Sequence, residues 1–204
     1  MGAMRALPLT AASLERLPAC CRECVFWQSL RATTDRRRRQ RWARDAEERF
    51  GAWGRVLIDG ERFRGMMQYG PSPAFARARV LPAGPPARDA ALVTCVFLDD
   101  EDPAGTCERL LLEALADLKG RGVGAVEAFA VRYPDEVPIP DRFAGHHTLF
   151  DRTFLLRMGF TQVRGEGQVS LMRLELGGLQ AAAAREGRLA RLRPSPEPPM
   201  PRPA

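Results

Sequence analysis

Glu127 stands in the middle of an apolar run, Ala125-Val-Glu-Ala-Phe129. Period-two alternation puts it on the same face as Ala125 and Phe129. A carboxylate in such a place needs hydrogen-bonding partners or a raised pKa. It is therefore a candidate general base, and equally a structural carboxylate paired with an arginine. The other groups capable of chemistry are thiols and imidazoles. Five cysteines occupy positions 20, 21, 24, 95 and 107, and Cys21-Arg-Glu-Cys24 forms one CxxC pair. A structural zinc site ordinarily needs two such pairs, and the only other soft donors are His146 and His147, far along the chain. No metal is expected; the simpler reading packs Cys20 and Cys24 with Leu17 and Trp27 on one apolar helix face. His146 and His147 read as exposed loop or cap residues. No Ser/His/Asp set, HExxH or Walker loop occurs.

The chain has 204 residues, 45% hydrophobic and 27% charged, as expected for one globular domain with extensions. No stretch of 18 apolar residues is present, so no membrane partner is expected, and with no signal-peptide pattern the expected location is the cytoplasm, where the thiols stay reduced. The net charge of +6 is almost all arginine, Lys119 being the only lysine. Arg36–Arg39 and Arg41 could bind phosphates, but Asp45, Glu47 and Glu48 balance them, and the run reads as the solvated face of a helix. Without interleaved aromatic residues, nucleic acid is not an expected partner.

The elements that would position these groups follow from spacing. Residues 5–10 read as a strand, and Thr10 or Ser13 could cap a helix running to about Gln28. A second helix is predicted over 36–50, with Trp42, Ala46 and Phe50 on its inner side. Strands 53–58 and 62–69 flank Asp59-Gly60, a strong hairpin signal. Residues 70–89, with five prolines, form a long loop. The near-continuous apolar run 90–98 reads as a central strand buried on both faces. A helix over about 106–119, a strand over 125–131, a Pro-rich loop over 133–147, a helix over 149–158, and strands 160–164 and 169–176 complete the order. Residues 179–204 read as a basic helical extension and a Pro-rich disordered tail.

This order, with Gly159-Phe160 after the last helix and a strand pair behind it, resembles the GNAT superfamily of acyl-CoA N-acyltransferases over roughly residues 5–176. Cys21-Arg-Glu-Cys24-Val-Phe-Trp27, Gly54-Arg-Val-Leu57, Phe154-Leu-Leu-Arg-Met-Gly-Phe160 and Leu171-Met-Arg-Leu-Glu-Leu176 look like a group found in high-GC Gram-positive (actinobacterial) species. The resemblance implies an α/β domain over 1–178: a central mixed, mostly antiparallel sheet of about six or seven strands flanked by about four helices. It also implies acetyl-CoA as co-substrate, an acetyl group passed to a primary amine, and pairing of such domains into a homodimer. By the same resemblance, pantetheine would hydrogen-bond along the splayed strand edge at Val96, Phe97 and Leu98. The pyrophosphate would sit at a helix start built from Gly105, Thr106, Cys107, Glu108 and Arg109.

Two positions depart from that pattern. Asp102 stands where the family carries Gln or Arg, and a carboxylate repels pyrophosphate. Asp102-Pro103 is also an N-cap followed by proline at the first helical position, so the helix could be capped by its own side chain. Leu155 stands where many members carry a tyrosine that protonates the leaving thiolate; Tyr133, after the crossover strand, is the substitute candidate. The expected function is thus N-acetyl transfer, with a degenerate, non-catalytic GNAT-fold binding protein as the alternative.

Overall fold

The computed structural model describes residues 4–177; the predicted basic extension and tail lie outside the described residues. One sheet carries nine strands. The hairpin partners β2 (Gly54–Asp59) and β3 (Arg62–Pro71) turn at Asp59-Gly60, where Gly60 takes the positive φ of +62° that this tight turn needs. β1 (Met4–Pro8) pairs antiparallel with β2 on the outer side, and β4 (Ala91–Leu98) pairs antiparallel with β3 on the inner side. The crossover then runs through helix α3 (Pro103–Gly120) to β5 (Ala125–Val131), parallel to β4. β9 (Val169–Glu175) lies antiparallel to β5, and β8 (Thr161–Glu166) closes the far edge. These seven strands follow the predicted pattern. The two additional strands, β6 (Gly145–His147) and β7 (Phe150–Asp151), are short.

The sheet is packed on both faces. On one, α3 and α4 (Arg152–Arg157) bury Leu110, Leu111, Leu115, Leu118, Phe154 and Leu155 against Val93, Val96, Val126 and Ala128. On the other, α2 (Arg36–Phe50) and the 72–87 loop cover Trp53, Met66, Leu92, Cys95 and Phe129. Fully burying one such side chain contributes about 1.5–3 kcal/mol, so the strands that carry them on both sides are fixed in register.

Three predicted helices differ from what forms. The long first helix does not exist: a 3-10 turn at Leu14–Arg16 is followed by Pro18 and by the five-residue α1 (Ala19–Glu23). Proline has no N–H to continue a helix, and it restarts the chain one turn later. Consequently Cys20 is exposed and Cys21 is buried, so Cys20 and Cys24 do not share one inner face with Leu17. The last helix begins at Arg152 and not at 149, because Phe150 and Asp151 pair with β5 before the helix starts. α3 begins three residues earlier than predicted, at Pro103.

Candidate functional site

β4 and β5 pair in parallel at only three positions, Ala91↔Val126, Leu92↔Glu127 and Val93↔Ala128. Beyond these they diverge. The bulge that starts the divergence lies on β4, where Gln68 faces Cys95 and Tyr69 faces Val93, leaving Thr94 as the extra residue. Gln68 Nε2 donates to Thr94 Oγ1 over 2.7 Å and satisfies the buried hydroxyl.

The split between the strands is filled by the chain itself. β6 lies antiparallel to β4, with Val96↔His147, Phe97↔His146 and Leu98↔Gly145, and β7 lies parallel to β5 at Ala130 and Val131. His146 and His147 are therefore strand residues and not loop or cap residues. The filling segment is anchored. Phe143 and Phe150 are buried in the core, and Phe143 meets Phe154 edge-on at 5.2 Å. Asp151 is 4% exposed; its Oδ1 accepts from Phe154 N at 2.7 Å and caps α4, while its Oδ2 accepts from Arg142 Nη1 at 3.3 Å. Arg142 also donates to the carbonyls of Val137 and Pro134.

The start of α3 is occupied as well. Asp102 Oδ1 accepts from Gly105 N at 3.0 Å, and Thr106 N donates to Asp102 O at 3.0 Å. Pro103 has no N–H, so at most Ala104 in the first turn has a donor left for an anion. A Cβ at Gly105 would stand 2.2 Å from Asp102 Oδ2, so a side chain there would displace the cap. Thr106 is buried and its hydroxyl donates to Asp100, which also faces Arg64. Burial opposes ionisation of Asp100, but the Thr106 hydroxyl, the Glu101 N–H and Arg64 outweigh it and hold the carboxyl below its usual range. Cys107 is fully buried in the core. Glu108 is exposed, and Arg109, also exposed, donates to Met4 O at 2.8 Å.

The two proton-transfer candidates do not converge. Glu127 is 2% exposed and accepts from Ala87 N at 2.8 Å and from Arg173 Nη1 at 3.1 Å. Its contacts are those of a structural carboxylate. Tyr133 lies six residues further along, roughly 20 Å in extended chain. Its hydroxyl is 3.4 Å from His147 Nδ1, and it lines an open polar groove of about 520 Å³ with Arg132, Asp135, Arg152 and Gln168. Burial and the Asp151 carboxylate raise its phenol pKa, while Arg142 opposes them. Leu155 is fully buried core and supplies no proton.

Sequence reasoning missed Arg39. It belongs to the arginine run, yet it is 2% exposed. The signal was present: Arg39 lies three, four and seven residues before Trp42, Ala43 and Ala46, on the inner stripe of α2. Among the described residues no group of three or more His, Cys, Asp or Glu is arranged to hold a metal ion. No described helix is long and apolar enough to cross a membrane.

No protein-family model matches the chain, and no curated protein matches its sequence. Solved structures do match in fold. The chain is similar to an N-acetyltransferase from Staphylococcus aureus Mu50 (12% identity, TM-score 0.54, 86% of this chain and 99% of that one). It is similar to the ribosomal-protein-S18-alanine N-acetyltransferase of Escherichia coli (12%, 0.52, 88% and 98%). It is also similar to yncA of Salmonella typhimurium, solved with its cofactor acetyl-CoA (15%, 0.51, 90% and 100%). The fold is that of the GNAT acetyltransferases.

Proposed function

We propose that this protein is a GNAT-fold binding or interaction protein whose acyl-CoA cleft is filled by its own segment 145–151, and that it does not work by acyl transfer. The pairing of Val96–Leu98 with Gly145–His147 carries this reading. The strand edge that would hold pantetheine has its hydrogen bonds made within the chain. The helix start that would hold pyrophosphate is capped by Asp102 and lies among Asp99, Asp100, Glu101 and Glu108. Like charges at such a site oppose a pyrophosphate. Gly105, Thr106, Cys107, Glu108 and Arg109 are in place, but they do not fit that group in this conformation.

A second reading, transfer of an acetyl group from acetyl-CoA to a primary amine, is supported by the divergence of β4 from β5 and by the similarity to the acetyl-CoA-bound Salmonella structure. In that reading segment 145–151 leaves the split first, and Tyr133 borders the acceptor groove.

Isothermal titration with acetyl-CoA separates the two. The wild-type chain is expected to give no heat up to about 1 mM ligand. Micromolar binding overturns the proposal in favour of the second reading. A His146→Pro/His147→Pro variant removes ladder hydrogen bonds from β6. Binding gained only in that variant would support closure by the segment itself.

A further inference from the structure

On the α2 side of the sheet the buried cation of Arg39 has no counter-charge among the described residues. Arg39 places its guanidinium over the rings of Trp42 and Trp53, 4.9 and 4.7 Å from their centroids. Its Nη1 donates to Gln68 Oε1; among the described residues its Nε–H has no acceptor, and no carboxylate is among the groups whose charge acts on it. Arginine keeps its proton in proteins, so the charge is present and unpaired. The aromatic faces and the amide oxygen answer only part of it. Arg39 borders a cavity of about 10 Å³, also lined by Gln68, Cys21, Cys24, Cys95 and His146. The spread of positions 21, 24, 95 and 146 along the chain concealed this cluster in the sequence. The cavity has room for one water-sized group.

The thiols differ. Cys21 and Cys95 are buried, and burial pushes Cys95 up to about 12 although Arg39 pulls the other way. Cys24 ends α1 and is half-buried, so it is the accessible thiol of the three. Both Cys21 and Cys95 line the cavity with Cys24; Cys21 belongs to the same short helix, whereas Cys95 comes from the central strand β4.

We propose that this cavity is a thiol-oxidation site: a hydroperoxide oxidises Cys24, Cys95 resolves the product as a disulfide, and Arg39 holds the negative charge that develops. In the first step Cys24 Sγ attacks the peroxide. An S–O bond forms, the O–O bond breaks, sulfur is oxidised to a sulfenic acid, and the peroxide is reduced to an alcohol or water that takes the thiol proton. In the second step Cys95 Sγ attacks the sulfenic sulfur. The S–S bond forms, and the oxygen leaves as water with the Cys95 proton. The cavity matches the one oxygen atom that the intermediate adds. The disulfide ties the α1 segment to the central strand β4 beside its bulge.

The test uses the full chain, reduced and then exposed to hydrogen peroxide, alkylated and mapped by peptide mass spectrometry. A Cys24–Cys95 disulfide is expected. Cys24→Ser abolishes it, and Cys95→Ser leaves Cys24 as a sulfenic acid that dimedone captures. Arg39→Gln slows oxidation by roughly tenfold through loss of the cation that borders the cavity. Oxidation confined to Cys20, or a Cys21–Cys24 disulfide, overturns the assignment. Stoichiometric zinc bound by the purified chain with these thiols protected overturns it too, in favour of a metal site. Thermal unfolding of each variant separates loss of fold from loss of the thiol, and the wild-type map stands without any variant.

Discussion

At Glu127 the two fates of a buried carboxylate, catalysis and structure, separate by geometry. A general base needs a free lone pair facing substrate. Glu127 gives one oxygen to the Ala87 N–H and the other to Arg173, whose guanidinium also meets Glu175. Glu127→Ala strands the Arg173 charge and the Ala87 donor. Removing one partner of a buried pair costs on the order of 3 kcal/mol, and a lowered urea midpoint at unchanged m-value measures it. Glu127→Gln keeps an acceptor for Ala87 and is expected to cost less. The apolar setting of Glu127 was legible from alternation alone. Its partners were not, because Ala87 and Arg173 lie 40 and 46 residues away in the chain. Arg39 is the converse case: a charge run read as solvated contained one residue on the buried stripe, and composition hid what three- and four-residue spacing exposed.

Among the elements, those with a full period were the most legible. Helix α2 and strand β5 occupy the predicted spans, 36–50 and 125–131, because an inner stripe at helical spacing runs through the one and the other is buried almost throughout. Boundaries failed where one backbone rule cut across the pattern, as Pro18 does before α1. They failed also where an element was too short to have a period, as with β6. Capping chemistry was readable at α3, where Asp102-Pro103 offered a self-capped start as one of two readings, and Asp102 does accept from Gly105. Asp102→Ala should therefore destabilise the fold by about 1 kcal/mol, seen as a lower Tm. If the pyrophosphate loop were in use, Asp102→Gln would tighten acetyl-CoA binding. On the reading proposed here, Asp102→Gln leaves acetyl-CoA unbound, because the β4 edge remains paired.

For the molecule as a whole, the sheet consists of a β1-β2-β3-β4 half and a β5-β9-β8 half joined by three residue pairs. The strand positions and the central strand buried on both faces followed from hydrophobic periodicity, and the mixed, mostly antiparallel sheet from the family resemblance. The filling of the split did not, since it depends on residues 145–151 returning to strands laid down some fifty and twenty residues earlier. This segment pairs with both halves, β6 with β4 and β7 with β5, and hydrogen exchange reports on it directly. Along β4, alternate N–H groups face β3 and the opposite side; within 96–98 that opposite side faces β6. If β6 stays seated, amides of 96–98 on both sides exchange as slowly as those of the paired strand β3, at rates set by global unfolding. If β6 opens on its own, only the amides directed at it exchange quickly, while their neighbours bonded to β3 stay protected. We expect slow exchange on both sides in the wild-type chain and selective loss on the β6 side in His146→Pro/His147→Pro. Fast exchange on that side in the wild-type chain would mean that the split opens in solution, and the acyl-transfer reading would then have the entrance it needs.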